Sequence, residues 1–224
     1  MIERLEVPQD LHRNSAVVQA AGYERTGQTL IDLVAHSTGH KNFGDIDVLD
    51  VGCGVRFTQT IVNSDIPLKS YTGVEIHRPI VDFLQKEVEP HDSRFKYAHW
   101  NVHNAMYNPQ GLCIGDQQAM PVDGHYDVIC LISVFTHLTP TDSLALLKLM
   151  RNCIREDGKL FFSAYIDDEL TFFEDRVKGH PLRHAYYGRD YMVSLIKQAG
   201  WKIESFNDKD DDSYIQHYFV CTPA

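Results

Sequence analysis

The sequence predicts an α/β fold built on a mostly parallel sheet of seven strands, with an antiparallel last strand and helices on both faces. Three observations predict it. Short apolar segments alternate with amphipathic ones, a turn containing glycines follows the first apolar segment, and the last two apolar segments are joined by a short connection. Because so short a connection cannot make a parallel crossover, the last strand should be antiparallel to its neighbour. We expect a single domain over residues 1–224.

The first half of the chain predicts a helical segment followed by a βαβαβ unit. Residues 10–38 are predicted to form one or two helices, because Leu30, Leu33 and Val34 recur at helical spacing and Gly39 can end a helix. The elements predicted next are strands at residues 46–51, 70–75 and 95–100 and helices at residues 56–63 and 79–88.

The second half predicts an irregular excursion at residues 101–125, which are rich in Asn, Gly, Pro and Gln. Residues 126–132 are almost unbroken in apolar character, which is typical of a parallel strand covered on both faces. A helix is predicted over residues 141–154, with Thr139 or Thr141 as its N-cap and Gly158 at its end. The elements predicted last are a strand at 160–165, an interruption at 167–186, a helix at 189–199, and strands at 201–206 and 217–222 joined by an acidic turn at 207–212.

The composition favours a small-molecule ligand over nucleic acid. The chain has 21 Lys and Arg against 31 Asp and Glu, a formal net charge of -10. Neutralising phosphates requires a dense cationic face, so this charge argues against nucleic acid as the main partner. The N-terminal residues lack the apolar region of a signal peptide, and no apolar stretch is long enough to span a bilayer. We therefore expect a cytoplasmic protein without a membrane partner.

Cysteine and histidine spacing gives no metal motif. The five cysteines include no CxxC pair, and we expect four of them to be buried as small apolar side chains: Cys53, Cys130, Cys153 and Cys221. Two histidine pairs have ligand-like spacing, His180 with His184 and His99 with His103. Pro181 disrupts a helical arrangement of the first pair, and no carboxylate or cysteine joins either at a matching interval. We expect no metal site.

The turn after the first predicted strand is the most informative motif. Residues 48–51 run into Gly52, Cys53 and Gly54, and an acidic residue, Glu75, closes the next predicted strand. Two glycines let a backbone approach a ligand closely, and the helix that follows directs free N–H groups into the same space. A carboxylate at the neighbouring strand tip can accept hydrogen bonds from both hydroxyls of a ribose. The motif predicts a pocket for a cofactor that contains adenosine.

These segments resemble the class I S-adenosylmethionine-dependent methyltransferases, of the bacterial type that acts on small molecules. The resemblance covers nearly the whole chain and is carried by residues 48–58, 71–76, 126–129, 133–138 and 155–160. Arg56 stands where the family has its third glycine, and Asp157 with Gly158 stands where the family usually has two glycines. The resemblance implies a Rossmann-like fold, S-adenosyl-L-methionine as cofactor and methyl transfer to a small-molecule acceptor at oxygen or nitrogen.

The resemblance also implies roles around the cofactor. Gly52, Cys53, Gly54 and Arg56 would surround its methionine half, Asp50 would reach its ammonium, Glu75 would bind the ribose, Ile76 would flank adenine, and Ser133 would lie beneath the sulfonium. Three alternatives stay open: Asp50 can instead cap the turn, Arg56 can pair with the cofactor carboxylate or project to solvent, and Glu75 can pair with Arg78. The amino edge of adenine has two candidate partners, Asn101 with Val102, or Asp116.

On the acceptor side, Phe135, Thr136 and His137 are expected to face the acceptor. His137 is the best-placed catalytic base for a hydroxyl or protonated amine, with a purely structural hydrogen bond as the alternative. Residues 1–44 would form a helical lid, and residues 167–187 an insertion that helps to form the acceptor pocket. The insertion combines aromatic and basic side chains, which suit a polar ring or an acidic acceptor and also an ordinary aromatic lid: Phe172, Phe173, Arg176, Arg183, His184, Tyr186 and Tyr187.

Two other functions compete with this interpretation. One is a nicotinamide-dependent oxidoreductase or epimerase, against which stand the absence of a Tyr-x-x-x-Lys pair and the predicted antiparallel ending. The other is a non-catalytic subunit that keeps the cofactor fold, which the departure at Arg56 would fit.

Overall fold

The computed structural model describes residues 2–13, 16–207 and 216–224. The helices are Ala16–Ala21 (α1), Tyr23–Ser37 (α2), Arg56–Asn63 (α3), Arg78–Glu87 (α4), Pro140–Arg151 (α5) and Arg189–Gln198 (α6). The strands are Phe43–Val51 (β1), Leu68–Glu75 (β2), Phe95–His99 (β3), Tyr126–Leu131 (β4), Ile154–Ile166 (β5), Phe173–Asp175 (β6), Ala185–Tyr187 (β7), Trp201–Asn207 (β8) and His217–Pro223 (β9). Short 3₁₀ helices span Gln9–Leu11, Ile114–Asp116 and Phe135–His137.

The sheet has the predicted mixture of parallel and antiparallel strands. The parallel part runs in the order β3, β2, β1, β4, β5. The last strand, β9, pairs antiparallel with both β5 and β8, which confirms the expected ending. Because the chain moves outward from β1 to β3 and then returns to the other side of β1, the strand order reverses between β1 and β4. Ligands in open parallel sheets bind at the carboxyl ends of the strands on either side of such a reversal.

The described strands number nine, and the two beyond the predicted seven, β6 and β7, form a small antiparallel hairpin within the segment predicted to be irregular. This hairpin joins β5 through the pairing of Tyr165 with Tyr186 and of Ile166 with Tyr187. It forms because β5 runs past the end of β9, and its free edge there accepts another strand. Residues 208–212 of the predicted acidic turn lie outside the described residues.

Both faces of the sheet are covered by helices, as predicted. Neighbouring residues of β1 show this, because Val48 belongs to the apolar cluster beneath α2, α3 and α4. Leu49 belongs to the opposite cluster beneath α5 and α6. Both side chains are fully buried. The central strands are therefore continuously apolar because helices cover both faces of the sheet, as the sequence suggested.

One helix boundary was predicted wrongly. The helix predicted over residues 141–154 is Pro140–Arg151, and Thr139 is its N-cap, accepting a hydrogen bond from the Asp142 N–H at 3.2 Å. Ile154 opens β5 and pairs with Tyr126, so the apolar repeat crosses from helix into strand. Gly158 does not end the helix but lies within β5, where a Cβ would stand 2.8 Å from the Ile154 side chain.

The second helix packs closely on α3. A Cβ on Gly27 would lie 2.0 Å from Oγ1 of Thr60, so only glycine allows this distance between the helices. The described cysteines are all free, and the four expected to be buried are buried. Among the described helices, none combines the length and the apolar character needed to cross a membrane.

An ion network at the amino end of the sheet links β1, β2, β4 and β5. Burial alone would raise the pKa of Asp47, but hydrogen bonds from Ser70, Lys69 and Arg155 lower it to about 2. The Asp47 side chain is 20% exposed and Arg155 also pairs with Asp127. A shift of almost two pKa units corresponds to about 2 kcal/mol of folding free energy at neutral pH.

We expect Asp47→Asn to lower the free energy of unfolding at pH 7 by about 1–3 kcal/mol, because it removes this carboxylate from three donors. A depressed folded pKa stabilises the protein above the unfolded value of 3.8, and this stabilisation is lost as the pH falls toward 2. Urea unfolding of the wild type and the variant should therefore show a difference in unfolding free energy that is smaller at pH 3 than at pH 7. Asp157→Asn, an exposed change in β5, is the control. An equal loss of unfolding free energy in both variants would show that the ion network does not stabilise the fold.

Candidate functional site

The turn after β1 has the geometry that its glycines permit. Gly52 and Gly54 have φ values of +78° and +52°, which are unfavourable for residues that carry a Cβ. The Gly52 N–H donates to the Val74 carbonyl at 2.7 Å, and a Cβ there would lie 2.6 Å from Val134. A Cβ at Gly54 would meet no atom within 4 Å. The turn is therefore packed against β2 and the loop after β4 on one side and faces open space at Gly54.

Glu75 ends β2 and fixes this turn. Its Oε2 accepts the Gly54 N–H at 3.0 Å, and its Oε1 accepts the N–H groups of Ile76 at 2.8 Å and His77 at 2.9 Å. The residue is only 9% exposed. A carboxylate offers about four acceptor positions, so these three bonds leave capacity for a ligand hydroxyl.

The alternative ion pair between Glu75 and Arg78 does not form. Arg78 donates to Asp82 at 2.7 Å, one turn further along α4. Glu75 is therefore held by backbone N–H groups, and its side chain is oriented without a cation. Its backbone also participates, because the Glu75 carbonyl accepts the Trp100 N–H at 2.9 Å.

Asp50 lies near the end of β1 and is 3% exposed. Burial raises its pKa to about 7, and the negative charge of Glu75 adds to this effect. The Tyr71 hydroxyl donates to Oδ2 of Asp50 at 2.6 Å and opposes the rise, as does the charge of Arg56. The site thus contains a buried carboxyl that a ligand cation would stabilise in its ionised form.

Arg56 and Cys53 flank the same turn. Arg56 opens α3, is partly buried and acts on Asp50 through its charge, which places it on the site side of the helix. Cys53 is buried, and its Sγ is close enough to Gly73 that a Cβ there would lie 2.7 Å away. Ile76 is half-buried beyond β2, and its carbonyl lies 3.2 Å from the His99 ring.

The two candidate regions for adenine differ in their environment. Val102 is 2% exposed and directly follows Asn101, whose side-chain oxygen accepts a hydrogen bond from Asn108 at 3.0 Å. The Asn101 side chain is thus engaged within its own loop. Asp116 ends a 3₁₀ helix further along the excursion and is exposed. Both candidates therefore remain.

Ser133 follows β4 in a left-handed conformation with φ of +61°, which costs a non-glycine residue about 1 kcal/mol or more. Its N–H donates to Oγ of Ser163 at 2.9 Å, and its own Oγ accepts from Nε2 of Gln216 at 2.8 Å. Thr136 donates to the Ser133 carbonyl at 2.8 Å. The sequence analysis missed Ser163 and Gln216. A serine within the apolar β5 was a detectable signal for the first, and no local signal marks the second.

His137 is oriented by the segment 167–187. Its Nδ1 lies 2.9 Å from the Leu182 carbonyl. A carbonyl only accepts, so Nδ1 carries the proton and Nε2 is the acceptor in the neutral ring. Burial lowers the pKa of His137, and the charge of His184 lowers it further, against the hydrogen bond to Leu182. A neutral imidazole with an accepting Nε2 is the form that a general base requires.

Three residues that were not predicted as site residues lie on this side of the sheet, and one of them contacts the His137 ring. Tyr107 meets His137 edge to face, with ring centroids 5.9 Å apart. The guanidinium of Arg13 lies 4.8 Å above the Tyr107 ring and also contacts Nε2 of His77. The N-terminal segment and the excursion after β3 thus meet beside His137.

Several aromatic residues of the insertion have ordinary packing roles. Phe173 packs on Tyr187 within the hairpin, and Phe172 packs on Tyr191 of α6. Arg176 pairs with Asp167 and Glu174 and lies 4.0 Å above the Tyr186 ring. Within the described residues, no three His, Cys, Asp or Glu side chains are grouped as a metal site would require.

Comparisons with known proteins agree with this geometry. A family model described as a methyltransferase domain matches residues 23–205. Magnesium protoporphyrin IX methyltransferase (ChlM) from Synechocystis PCC 6803, with bound SAM, has a similar structure at 13% identity, with a TM-score of 0.59 over 95% of this chain and 86% of that chain. The glycopeptide N-methyltransferase MtfA, complexed with S-adenosyl-L-homocysteine, is 12% identical, with a TM-score of 0.61 over 93% of this chain and 96% of that chain.

A third structure, an S-adenosylmethionine-dependent methyltransferase from Clostridium acetobutylicum ATCC 824, is 13% identical, with a TM-score of 0.59 over 93% of this chain and 95% of that chain. At these identities the likeness concerns the fold. The expected Rossmann-like architecture is confirmed.

We expect Tyr71→Phe to raise the pKa of Asp50 above about 7, because the bond donated to Oδ2 stabilises the ionised carboxyl. The carboxyl carbon shift of Asp50, followed by NMR from pH 4 to pH 9, measures this pKa. Tyr126→Phe, which removes a β4 hydroxyl bonded to the Asp123 carbonyl, is the matched control. An unchanged midpoint in Tyr71→Phe would show that the hydroxyl does not control Asp50.

Proposed function

The chain belongs to the methyltransferase domain family, and from this premise we propose that it transfers the methyl group of S-adenosyl-L-methionine to a small-molecule acceptor, at oxygen or nitrogen. The observation that carries the proposal is the carboxylate of Glu75, held beside the glycine turn by three backbone N–H groups. The ribose of the cofactor would donate its hydroxyls to this carboxylate. The ligands named for ChlM and MtfA, which share the fold, support the same cofactor.

The remaining site residues fit the other parts of the cofactor. Its ammonium would neutralise Asp50, a buried carboxyl whose pKa is raised to about 7 against the opposing charge of Arg56. The N–H groups of the turn from Gly52 to Gly54, with Arg56, would face its carboxylate. Three further assignments complete the set: Ile76 against adenine, Asn101 with Val102 or else Asp116 at its amino edge, and Ser133 beneath the sulfonium.

When bound, the sulfonium supplies a methyl group activated for in-line displacement, in which the acceptor forms the new bond as the carbon–sulfur bond breaks. The protein then has to hold donor and acceptor collinear and exclude water, and orientation alone can supply about 7–11 kcal/mol. Ser133, held by hydrogen bonds with Ser163 and Gln216, would form the surface beneath the sulfonium. His137 would take the acceptor proton at Nε2, because Nδ1 is bonded to Leu182.

The N-terminal segment and the insertion at 167–187 would enclose the acceptor. Two contacts support this arrangement: Arg13 lies above Tyr107, and Leu182 orients His137. Arg13 precedes α1 and Leu182 lies between β6 and β7, so both contacts come from loops outside the central parallel strands. They would exclude water from the reacting atoms.

We expect Glu75→Ala to weaken the binding of S-adenosylhomocysteine by roughly 1–3 kcal/mol, because ribose donors lose their acceptor and the turn loses its anchor at Gly54. Isothermal calorimetry measures this loss. Asp82→Asn, an exposed carboxylate change in α4, should leave the affinity unchanged. If the wild-type protein bound NAD and not S-adenosylhomocysteine, the proposed function would be rejected.

We expect His137→Gln to retain the affinity for S-adenosylhomocysteine and to lose most transfer of labelled methyl groups into a metabolite extract, since a base contributes about 10²–10⁴-fold. The wild-type rate should fall in acid only below pH 6.5, because burial lowers the pKa of His137 and the neutral ring is the active form. His36→Gln, an exposed change in α2, is the control. Full transfer by His137→Gln would assign His137 a structural hydrogen bond alone.

A further inference from the structure

Two arginines beside His137 differ from most others in the protein. Within the described part of the chain, neither Arg13 nor Arg183 has a carboxylate in ion-pair distance, and both are exposed. The arginines that do pair with Asp or Glu are Arg4, Arg78, Arg94, Arg155, Arg176 and Arg189. The chain has a net charge of -10, so carboxylates are plentiful. Two neighbouring guanidinium groups that have no carboxylate partner therefore indicate a binding site for an anion.

The two arginines converge on one ring. Arg13 lies 4.8 Å above Tyr107. Arg183 directly follows Leu182, whose carbonyl lies 2.9 Å from Nδ1 of His137, the ring that Tyr107 contacts. Burial raises the pKa of Tyr107, and the charges of Arg13 and Arg183 both oppose that rise. Tyr107 in turn meets the edge of His137, the ring that would take the acceptor proton. The cations therefore border the place where the acceptor would lie.

Two histidine rings add hydrogen-bond donors to the region around Tyr107 and His137. Nε2 of His77 contacts Arg13, while its buried Nδ1 has no hydrogen-bond partner among the described residues. His184 lies close enough to affect His137, and its ring meets Tyr165 with centroids 5.5 Å apart. Aromatic rings and cations thus lie together beside His137.

The carboxylates in this region have hydrogen-bond or ion-pair partners other than Arg13 and Arg183. Glu75 also affects Tyr107, but it accepts three backbone N–H groups. Asp175 accepts the Leu182 N–H at 2.7 Å, and Asp167 pairs with Arg176. Among the described carboxylates none lies within ion-pair distance of Arg13 or Arg183, so both guanidinium groups have N–H donors available for a ligand.

We propose that the methyl acceptor carries an anionic oxygen group, a carboxylate or a phosphate, which Arg13 and Arg183 bind while Tyr107 packs against the body of the molecule. This inference rests on the proposed function and specifies its acceptor. Guanidinium groups bind carboxylates and phosphates alike in a bidentate manner, so the geometry predicts an anionic oxygen group of either kind. The experiments below distinguish a carboxylate from a phosphate.

The first experiment measures binding in the protein saturated with S-adenosylhomocysteine. Benzoate and inorganic phosphate are titrated separately, and the ring resonances of Tyr107 and His137 are followed by NMR, with uncharged benzamide as the reference probe. We expect at least one anion to shift both rings and benzamide to shift neither. Arg13→Gln and Arg183→Gln should each weaken that binding about tenfold, and Arg25→Gln, an exposed arginine change in α2, should not. Equal anion binding in all variants, or none in the wild type, would overturn the proposal.

The second experiment identifies the source of the anion. A metabolite extract is divided on an anion exchanger, and each fraction is incubated with methyl-labelled cofactor. We expect label only with the retained fraction, and phosphatase treatment of that fraction abolishes it if the anion is a phosphate monoester. The Arg13→Gln/Arg183→Gln double variant should raise the apparent KM for this fraction with little change in kcat. Label appearing only with the unretained fraction would overturn the proposal.

Failure of this inference is distinguishable from failure of the proposed function. Absence of S-adenosylhomocysteine binding rejects the methyltransferase proposal itself. Tight cofactor binding with label transferred to an uncharged metabolite retains the proposed function and rejects the anionic acceptor alone.

Discussion

The site depends on one carboxylate that joins two strand tips through the backbone. Because β1 and β2 pair in parallel, with Val51 opposite Val74, both strands end at the same edge of the sheet. Glu75 bridges the turns that follow them by accepting N–H groups from each. Hydrogen bonds to a charged group contribute about 1.5–3 kcal/mol, and an unsatisfied N–H would carry a comparable penalty. The glycine turn is thus fixed before any ligand arrives, which reduces the conformational entropy that binding has to overcome.

The second half of the site depends on contacts that cross the sheet. Ser133 lies after β4, Ser163 is in β5, and Gln216 directly precedes β9. Oγ of Ser163 donates to the side-chain oxygen of Gln216, so the three residues form a closed, mostly buried network. A left-handed serine persists only where its surroundings determine it in this way. The loop after β4 also lies against the turn held by Glu75, because the side chain of Val134 packs on Gly52.

The sequence predicted the parts of the fold that local periodicity encodes. Strand alternation, the glycine turn, Glu75 at a strand tip and the antiparallel ending all follow from residue type and spacing over short segments. The failures have long-range causes. Ile154 continues the apolar repeat of α5 but pairs with Tyr126, a partner that no periodicity reveals. Arg13, Tyr107 and Gln216 reach the site from distant parts of the chain, and their neighbours in sequence give no sign of it.

The network beneath Ser133 also has a consequence for the order in which the protein matures. Gln216 is encoded more than 80 codons after Ser133, and β9 inserts between β5 and β8. During synthesis the glycine turn and Glu75 can assemble once β2 has emerged from the ribosome. The network of Ser133, Ser163 and Gln216 can form only after β9 has emerged. A nascent chain would therefore form the turn beside Glu75 before it could close the hydrogen bonds around Ser133.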